Sequence, residues 1–206
     1  MSSTTHSCSV AAARFAVVDV ETSGLSVKRH RILQVAVVIA DGDGHILDRW
    51  VSLVRPRWRW LFRLGPREIH GLNRADLRKA PAARDVLTEL SQRIDGATFT
   101  AHNAQFDAEF LLTSARRFRV QLPIAAQLCT LRLSRTLDPE RALSHRLADV
   151  SARYGIANAR PHDALEDALT TAALLPHLLR AHGVTTDEQL AHFIRPSSRR
   201  TTQRNI

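Results

Sequence analysis

The chain is short of the features that mark secreted and membrane proteins. It has two cysteines in 206 residues, Cys8 and Cys129, too few for a disulfide framework. No apolar run approaches the roughly 20 residues that a membrane helix needs. The stretch from Met1 to Arg14 is rich in Ser and Thr and lacks the basic start and apolar core of a signal peptide. We therefore expect a protein of a reducing, cytoplasmic compartment with no membrane partner.

Acidic residues are scarce relative to basic ones. Asp and Glu number 20 against 29 Lys and Arg, which gives a net charge of +9. This excess favours a polyanionic partner such as nucleic acid, although runs of charge are most often solvated faces. Three clusters hold much of the positive charge: Lys28, Arg29 and Arg31; Arg55, Arg57, Arg59, Arg63 and Arg67; and Arg195, Arg199, Arg200 and Arg204.

The middle cluster interleaves cations with aromatic rings. Arg57 and Arg59 alternate with Trp58 and Trp60. Such a mixture holds phosphates on the cations while the rings stack on bases, so we expect these four residues to contact substrate. The alternative is a surface loop anchored by one or two tryptophans that pack into the core.

The apolar pattern predicts an α/β fold with a mixed sheet. Three runs of strand length come first, joined by short turns, which is typical of an antiparallel meander. They are the run from Phe15 to the turn residues Thr22 to Gly24, then 32–40 and 46–54. Helices and short strands alternate afterwards. Strands are expected over 97–100 and about 126–128. Helices are expected over 73–80, 82–94 and 143–154, and a further helix should begin at Asn103 as its N-cap. The last helix should run from 164 to about 179, where Pro176 should kink it or split off its last turn.

No internal repeat or second domain is visible. We expect one folded domain over residues 14–195. A flexible N-terminal tail over 1–13 and a basic flexible C-terminal tail over 196–206 complete the expected organisation.

Two acids lie in the first predicted strand. Asp19 and Glu21 are two residues apart, so a strand places both on one face. Burying two carboxylates without a nearby cation is costly. Either the strand ends early and both acids are solvated, or they form half of a site for a hard cation such as Mg²⁺ or Mn²⁺.

Further acids occur at helical positions. Asp107 falls on the apolar side of its helix, where an acid needs a partner. In the segment His162-Asp-Ala-Leu-Glu-Asp167, Asp163 can cap the following helix, with Glu166 as the return half of a capping box. His162 then lies in a loop just before the helix. The alternative is that these acids merely complement the helix dipole.

Three segments resemble, in order, the motifs of the DEDDh 3′–5′ exonucleases, the group of the proofreading epsilon subunit of bacterial DNA polymerase III. They are Val18-Asp-Val-Glu-Thr-Ser-Gly24, His102-Asn-Ala-Gln-Phe-Asp-Ala-Glu-Phe-Leu111 and His162-Asp-Ala-Leu-Glu-Asp167. Between them, Ile69-His-Gly-Leu72 is similar to a further family segment. The resemblance covers roughly residues 14–182.

The resemblance implies a ribonuclease-H-like domain with a two-metal site. By motif position, the four acids would hold two Mg²⁺ or Mn²⁺ ions, and His162 would be the general base. Those acids are Asp19, Glu21, Asp107 and Asp167. Such a site suits phosphodiester hydrolysis, because two cations can serve the attacking and the leaving oxygen.

The implied function is a metal-dependent 3′–5′ exonuclease that releases nucleoside monophosphates from single-stranded or frayed DNA ends. We expect Thr22, His102 and Asn103 to contact the substrate. An exoribonuclease of the same superfamily is the alternative, and a nucleic-acid-binding or adaptor domain with an inactive site is a remote one. A DNA polymerase or sliding clamp is a further expected partner, since Gln189 to Phe193 is similar to clamp-docking peptides, although an ordinary amphipathic helix fits the same residues.

Overall fold

Six strands and seven α-helices form the fold in the part of the chain that the computed structural model describes, residues 8–56, 64–65 and 70–197. The strands are β1 (Phe15–Thr22), β2 (Ile32–Ala40), β3 (Ile46–Leu53), β4 (Thr98–Ala101), β5 (Ala126–Cys129) and β6 (Arg195–Pro196). The helices are α1 (Arg74–Lys79), α2 (Ala83–Arg93), α3 (Ala104–Phe118), α4 (Thr130–Thr136), α5 (Leu147–Arg153), α6 (Ala164–Ala181) and α7 (Asp187–Ala191).

The strands form one mixed sheet in the order β3-β2-β1-β4-β5-β6. Strands β1, β2 and β3 pair antiparallel, which confirms the predicted meander. Strands β4 and β5 run parallel to β1, and β6 pairs antiparallel with β5. The predicted α/β class with a mixed sheet flanked by helices is therefore confirmed.

Strand β1 is buried on both faces and divides the core in two. Ala16, Val18 and Val20 pack on one side with residues of α2 and α3. Phe15 and Val17 face the other side, where α6 covers the sheet. Because side chains alternate along a strand, Asp19 and Glu21 continue the row of Phe15 and Val17. The two acids thus lie on the α6 side of the sheet.

Strand β1 extends beyond the end of its parallel neighbour β4. The pairing begins at Phe15 with Thr98 and reaches Val17 with Thr100. The chain leaves β4 after Ala101 and enters α3, so the carboxyl end of β1 projects beyond the parallel pairing. This projecting end carries both acids and is reached by the start of α3.

Two helices differ from their predicted limits. The last long helix, α6, continues to Ala181 with Pro176 inside it, so the helix is not split there. The helix expected over 143–154 begins only at Leu147, because Asp138 accepts the N–H group of Leu143 at 2.9 Å and closes a turn before it. Helix α4 was not predicted. No helix in the described residues is both long and apolar enough to cross a membrane.

The start of the described chain docks on the domain, although it was expected in a flexible tail. Val10 is buried, and its N–H group donates to the carbonyl of Thr185 at 2.9 Å. The N–H group of Gly42, in the β2–β3 turn, donates to the carbonyl oxygen of Ala11 at 3.1 Å. Residues 8–13 therefore pack against the fold, whereas 1–7 and 198–206 lie outside the described residues.

The segment similar to clamp-docking peptides, Gln189 to Phe193, begins in helix α7 and packs on the domain. A capping box between Thr186 and Gln189 starts α7. Leu190 is buried, and the ring of Phe193 lies 4.7 Å from that of His182. Both apolar side chains are thus engaged with the domain.

Adding a methyl group at Gly42 tests the docked segment. A Cβ there would overlap the carbonyl oxygen of Val10. We expect Gly42→Ala to lower stability by about 1–3 kcal/mol, as overpacking typically does. Thermal unfolding measures the effect, which corresponds to about 2–4 °C per kcal/mol for a chain of this size.

The matched control carries the same change in a chain that begins at residue 14. Without Val10 the added methyl group has no backbone to meet, so its cost should largely disappear. An equal loss in both backgrounds would contradict the docking.

Candidate active site

Three elements bring the predicted catalytic residues to one place. Strand β1 supplies Asp19 and Glu21, while Asp107 and Asp167 lie in the first turns of α3 and α6. Glu21, His162 and Asp167 each present one potential ligand atom, and these three atoms lie within 4.8 Å of one another. Residues far apart in sequence are therefore neighbours at the carboxyl end of β1.

Asp107 is fixed by the backbone of β1. Its side chain is only 3% exposed, and its Oδ1 accepts the N–H group of Val20 at 3.2 Å. Because β4 has already left the sheet at this level, the N–H group of Val20 has no strand partner there. The carboxylate of Asp107 satisfies that donor.

Asp167 is held by two donors, one to each oxygen. Asn158 donates its side-chain amide to Oδ1 at 2.6 Å, and the backbone N–H group of His162 donates to Oδ2 at 3.1 Å. His162 adopts a left-handed backbone conformation with φ of 66°, which is uncommon outside glycine. Asn158 was missed by the sequence reasoning, since nothing in its polar loop marks it.

The acids at the start of α6, Asp163, Glu166 and Asp167, have different hydrogen-bond partners. Asp163 accepts the N–H groups of Leu165 and Glu166, as predicted. The prediction that Glu166 forms the return half of a capping box was wrong, because its carboxylate instead accepts a hydrogen bond from the guanidinium of Arg160 at 2.8 Å. The N–H group of Asp163 donates to the carbonyl of Arg160. Asp167 is thus the acid of this segment that reaches Glu21.

Burial, and then the clustering of negative charge, raise the pKa values of the acids. Burial, then the negative charges of Asp107 and Asp167, raise the pKa of Asp19 well above its usual range. Burial raises the pKa of Asp107 as well, although its hydrogen bond from Val20 opposes this. Burial and the charge of Asp167 raise the pKa of Glu21 to about 7. The pKa of Asp167 is also raised, chiefly by burial.

The donor set suits a hard divalent cation. Among the described residues, no Lys or Arg forms an ion pair with Asp19, Glu21, Asp107 or Asp167. Carboxylate oxygens are the ligands that Mg²⁺ and Mn²⁺ prefer, and cations would offset the mutual repulsion of these acids. The residues present therefore fit Mg²⁺ or Mn²⁺.

Two of the expected substrate contacts lie at the rim of the site. Asn103 is the N-cap residue of α3, as predicted, but its backbone is left-handed with φ of 72° and its side chain makes no capping bond. Its exposed amide is therefore free to meet a ligand. The hydroxyl of Thr22 donates to the carbonyl of Gly24 at 2.9 Å. A substrate contact at either residue stays a prediction.

His102 is tied into the protein through both ring nitrogens. Nε2 lies 2.9 Å from the carbonyl oxygen of His145, and Nδ1 lies 3.0 Å from the hydroxyl of Thr130. The carbonyl can only accept, so Nε2 carries the proton and Nδ1 accepts from Thr130. Burial lowers the pKa of His102 and favours this neutral form. The ring therefore links the start of α3 to α4.

The remaining predicted contacts, Arg57, Trp58, Arg59 and Trp60, lie outside the described residues. His70, in the segment similar to the family's Ile-His-Gly, is buried, with Nε2 3.1 Å from the carbonyl of Leu64. Its Nδ1 accepts the N–H group of Leu72. This histidine has a structural role in the described fold.

Comparison with known families agrees with this geometry. The model of the exonuclease family matches residues 16–175. The chain belongs to the exonuclease family. The matched range begins at β1 and ends within α6, so it includes all five residues assigned to the catalytic site.

Curated relatives of this exonuclease-family chain are DNA polymerases. The PolC-type DNA polymerase III of Staphylococcus saprophyticus is 31% identical over 173 residues, which cover 84% of this chain and 12% of that protein. The corresponding protein of Staphylococcus aureus strain MW2 is 33% identical over 162 residues, or 78% of this chain and 11% of that one. The chain thus spans a small fraction of these relatives.

Solved structures support the same fold. Exonuclease X in complex with 5′-overhanging duplex DNA is 28% identical, with a TM-score of 0.64 and coverage of 88% of this chain and 98% of that one. The nuclease domain of 3′hExo, a DEDDh family member bound to rAMP, is 16% identical, with a TM-score of 0.71 and coverage of 84% and 95%. The family resemblance inferred from the motifs is confirmed.

The raised pKa of Glu21 predicts a pH dependence of stability. Its folded pKa of about 7 lies above the ordinary value of 4.5, so the folded state holds the proton more tightly. The stabilising contribution is present below pH 4.5 and is lost as the pH rises through 7. In EDTA, we expect Glu21→Gln to exceed the wild type in Tm by a few degrees at pH 8 but not at pH 5.

The thermal unfolding series is then repeated with Mg²⁺ or Mn²⁺. A bound cation stabilises the folded wild type, whereas the variant with one fewer carboxylate should gain less. A Tm difference that stays constant from pH 5 to pH 8 would contradict the electrostatic account of Glu21.

Removing the amide of Asn158 tests how Asp167 is held. We expect Asn158→Ala to raise the Mg²⁺ concentration required for half-maximal hydrolysis about 10-fold, since residues that orient metal ligands have effects of this size. Activity titrated against Mg²⁺ measures the effect. Gln105→Ala is the control, because its amide donates to Glu109 and to none of the four acids, and an equal shift in both variants would count against the assignment.

Proposed function

We propose that this chain is a metal-dependent 3′–5′ exonuclease that removes nucleoside monophosphates from single-stranded or frayed DNA ends. One observation carries the proposal: four carboxylates and a histidine, drawn from three elements, converge at the projecting end of β1. Membership of the exonuclease family supports the same conclusion.

The proposed chemistry assigns a part to each element of the site. Asp19, Glu21, Asp107 and Asp167 would hold two Mg²⁺ or Mn²⁺ ions. When bound, such ions lower the pKa of water and stabilise the oxygen that leaves phosphorus. The protein itself carries these carboxylates on a strand and two helix starts, and the loop before α6 adds two donors that hold Asp167.

His162 is the proposed general base. An imidazole exchanges a proton near neutral pH, which suits it to accept the proton of the attacking water at a ring nitrogen. The side chain is exposed and its ligand atom lies within 4.8 Å of those of Glu21 and Asp167. It therefore borders both the metal-binding acids and the solvent from which water and substrate arrive.

DNA is the proposed substrate. The curated relatives at 31–33% identity are DNA polymerases, and the solved structure at 28% identity is a complex with DNA. The neighbour bound to rAMP is only 16% identical and supports the fold alone. The polymerase relatives also support a role in replication, in which this chain would work beside a DNA polymerase as a proofreading subunit.

An end-labelled digestion assay tests the proposal. Purified protein is given matched single-stranded DNA and RNA with Mg²⁺, Mn²⁺ or EDTA. We expect shortening from the 3′ end that requires the metal and is faster on DNA. Asp19→Ala should lower the rate at least about 100-fold, since it removes an acid from the centre of the cluster.

The matched control is Asp163→Asn, which keeps the cap of α6 while removing a nearby charge that does not belong to the assigned metal ligands. It should retain most of the activity. Faster digestion of RNA would overturn the substrate assignment, and metal-independent digestion would overturn the mechanism.

A further inference from the structure

A second concave site lies on the α2–α3 side of the sheet, opposite Asp19 and Glu21. It is a pocket of about 240 Å³ between the β2 strand, the end of β3, and helices α2 and α3. Its floor is apolar and includes Ile32, Val35, Val86 and Leu111. The volume is below the ~300–1,000 Å³ of sites that enclose a drug-sized molecule, so the pocket suits a smaller group.

Three arginines and a hydroxyl surround this floor. Arg31 comes from the β1–β2 loop, Arg55 follows β3, and Arg117 lies in the last turn of α3 beside Ser114. In the described part of the chain, none of the three guanidinium groups forms an ion pair with an acid. The pocket thus joins an apolar floor to an uncompensated positive rim.

The rim is electrostatically unfavourable as it stands. Arg31 and Arg117 line the same pocket, and burial, then the nearby charge of Arg117, lower the pKa of Arg31. The Arg31 guanidinium is steadied by the carbonyl groups of Lys28 and His30. Carbonyl groups do not neutralise a charge, so an anion placed between Arg31 and Arg117 would relieve the repulsion.

Two walls of the pocket start at the acidic site. Along α3, Ser114 follows Asp107 by seven residues, a distance of about 10 Å at 1.5 Å per residue. Along the sheet, Ile32 pairs with Thr22, which directly follows Glu21. The N–H group of Arg31 donates to the Ser23 hydroxyl at 3.0 Å, which fixes this rim to the end of β1.

We propose that this pocket binds a nucleotide of the substrate strand on the 5′ side of the bond that is cut. The base packs on the apolar floor, and the phosphates lie against Arg31, Arg55 and Arg117. This inference rests on the proposed function, because it takes the bound polymer to be a DNA strand whose 3′ end is at the acidic site. Guanidinium groups bind phosphate oxygens in bidentate fashion, and an apolar surface accepts any base.

Binding is measured separately from hydrolysis. Fluorescence anisotropy of a labelled single-stranded DNA is recorded in EDTA for the wild type, Arg117→Gln and Ser114→Leu. Arg116→Gln is the matched control, since it removes the same charge one residue away, where the side chain hydrogen-bonds to Thr113 instead of lining the pocket. Thermal unfolding confirms that each variant is folded.

We expect Arg117→Gln to weaken binding about 3- to 10-fold relative to Arg116→Gln. Its slope of log K against log salt should fall by about 0.7, the value for one lost phosphate contact on a single strand. Ser114→Leu fills the pocket without changing charge, so it should weaken binding at an unchanged salt slope. Equal affinity of Arg117→Gln and Arg116→Gln, or wild-type affinity of Ser114→Leu, would overturn the proposal.

A small substrate separates this inference from the proposed function. The p-nitrophenyl ester of thymidine 5′-monophosphate is too short to reach the pocket, so its hydrolysis reports the acidic site alone. We expect Arg117→Gln to lose more activity on an oligonucleotide than on this ester. If the wild type does not hydrolyse the ester or DNA but the binding results hold, the proposed function fails and the pocket remains a binding site for a DNA strand without a defined relation to a cut bond. Equal losses on both substrates would overturn the pocket assignment.

Discussion

The repulsion among four carboxylates at the end of β1 is the constraint on which the rest of the structure depends. Among the described residues, no Lys or Arg forms an ion pair with these acids, and burial raises the pKa values of Asp19 and Glu21 further. Part of the compensation comes from the backbone. Asp107 and Asp167 lie in the first turns of α3 and α6, where the positive ends of two helix dipoles meet the cluster. The hydrogen bond from Val20 adds a further donor. A protein that tolerates this cost without metal is arranged to gain when a cation binds.

The architecture explains how such a cluster stays rigid. Strand β1 lies at the centre of the sheet and is packed on both faces, so the backbone that carries Asp19 and Glu21 is held in place by the core. Helices α3 and α6 approach from opposite faces and present an acid at their first turns. The early departure of β4 opens the space in which these parts meet. Function and fold therefore use the same feature, a strand that continues beyond its parallel neighbour.

Much of this was predictable, because the signals are local. The run of apolar residues defined β1, the spacing of Asp19 and Glu21 placed both on one face, and Asp163 marked the start of α6. The misses involve partners distant in the fold. Asn158 is recognisable only once Asp167 stands beside it, and Glu166 was assigned to a local cap because Arg160 as its partner was not foreseen. The docking of Val10 depends on Thr185 at the other end of the chain. Sequence periodicity carries no information about such pairs.

The loop before α6 contacts the acidic cluster in two ways, because the backbone of His162 also donates a hydrogen bond to Asp167. The side chain of this histidine borders the acids, while its main chain restrains one of them. A displacement of the main chain at His162 would move the imidazole and also withdraw this donor from Asp167. In the proposed mechanism, proton acceptance and cation affinity would therefore be coupled through the main chain of this residue. A shift of the loop would weaken cation binding, so loop position and metal occupancy would report on each other.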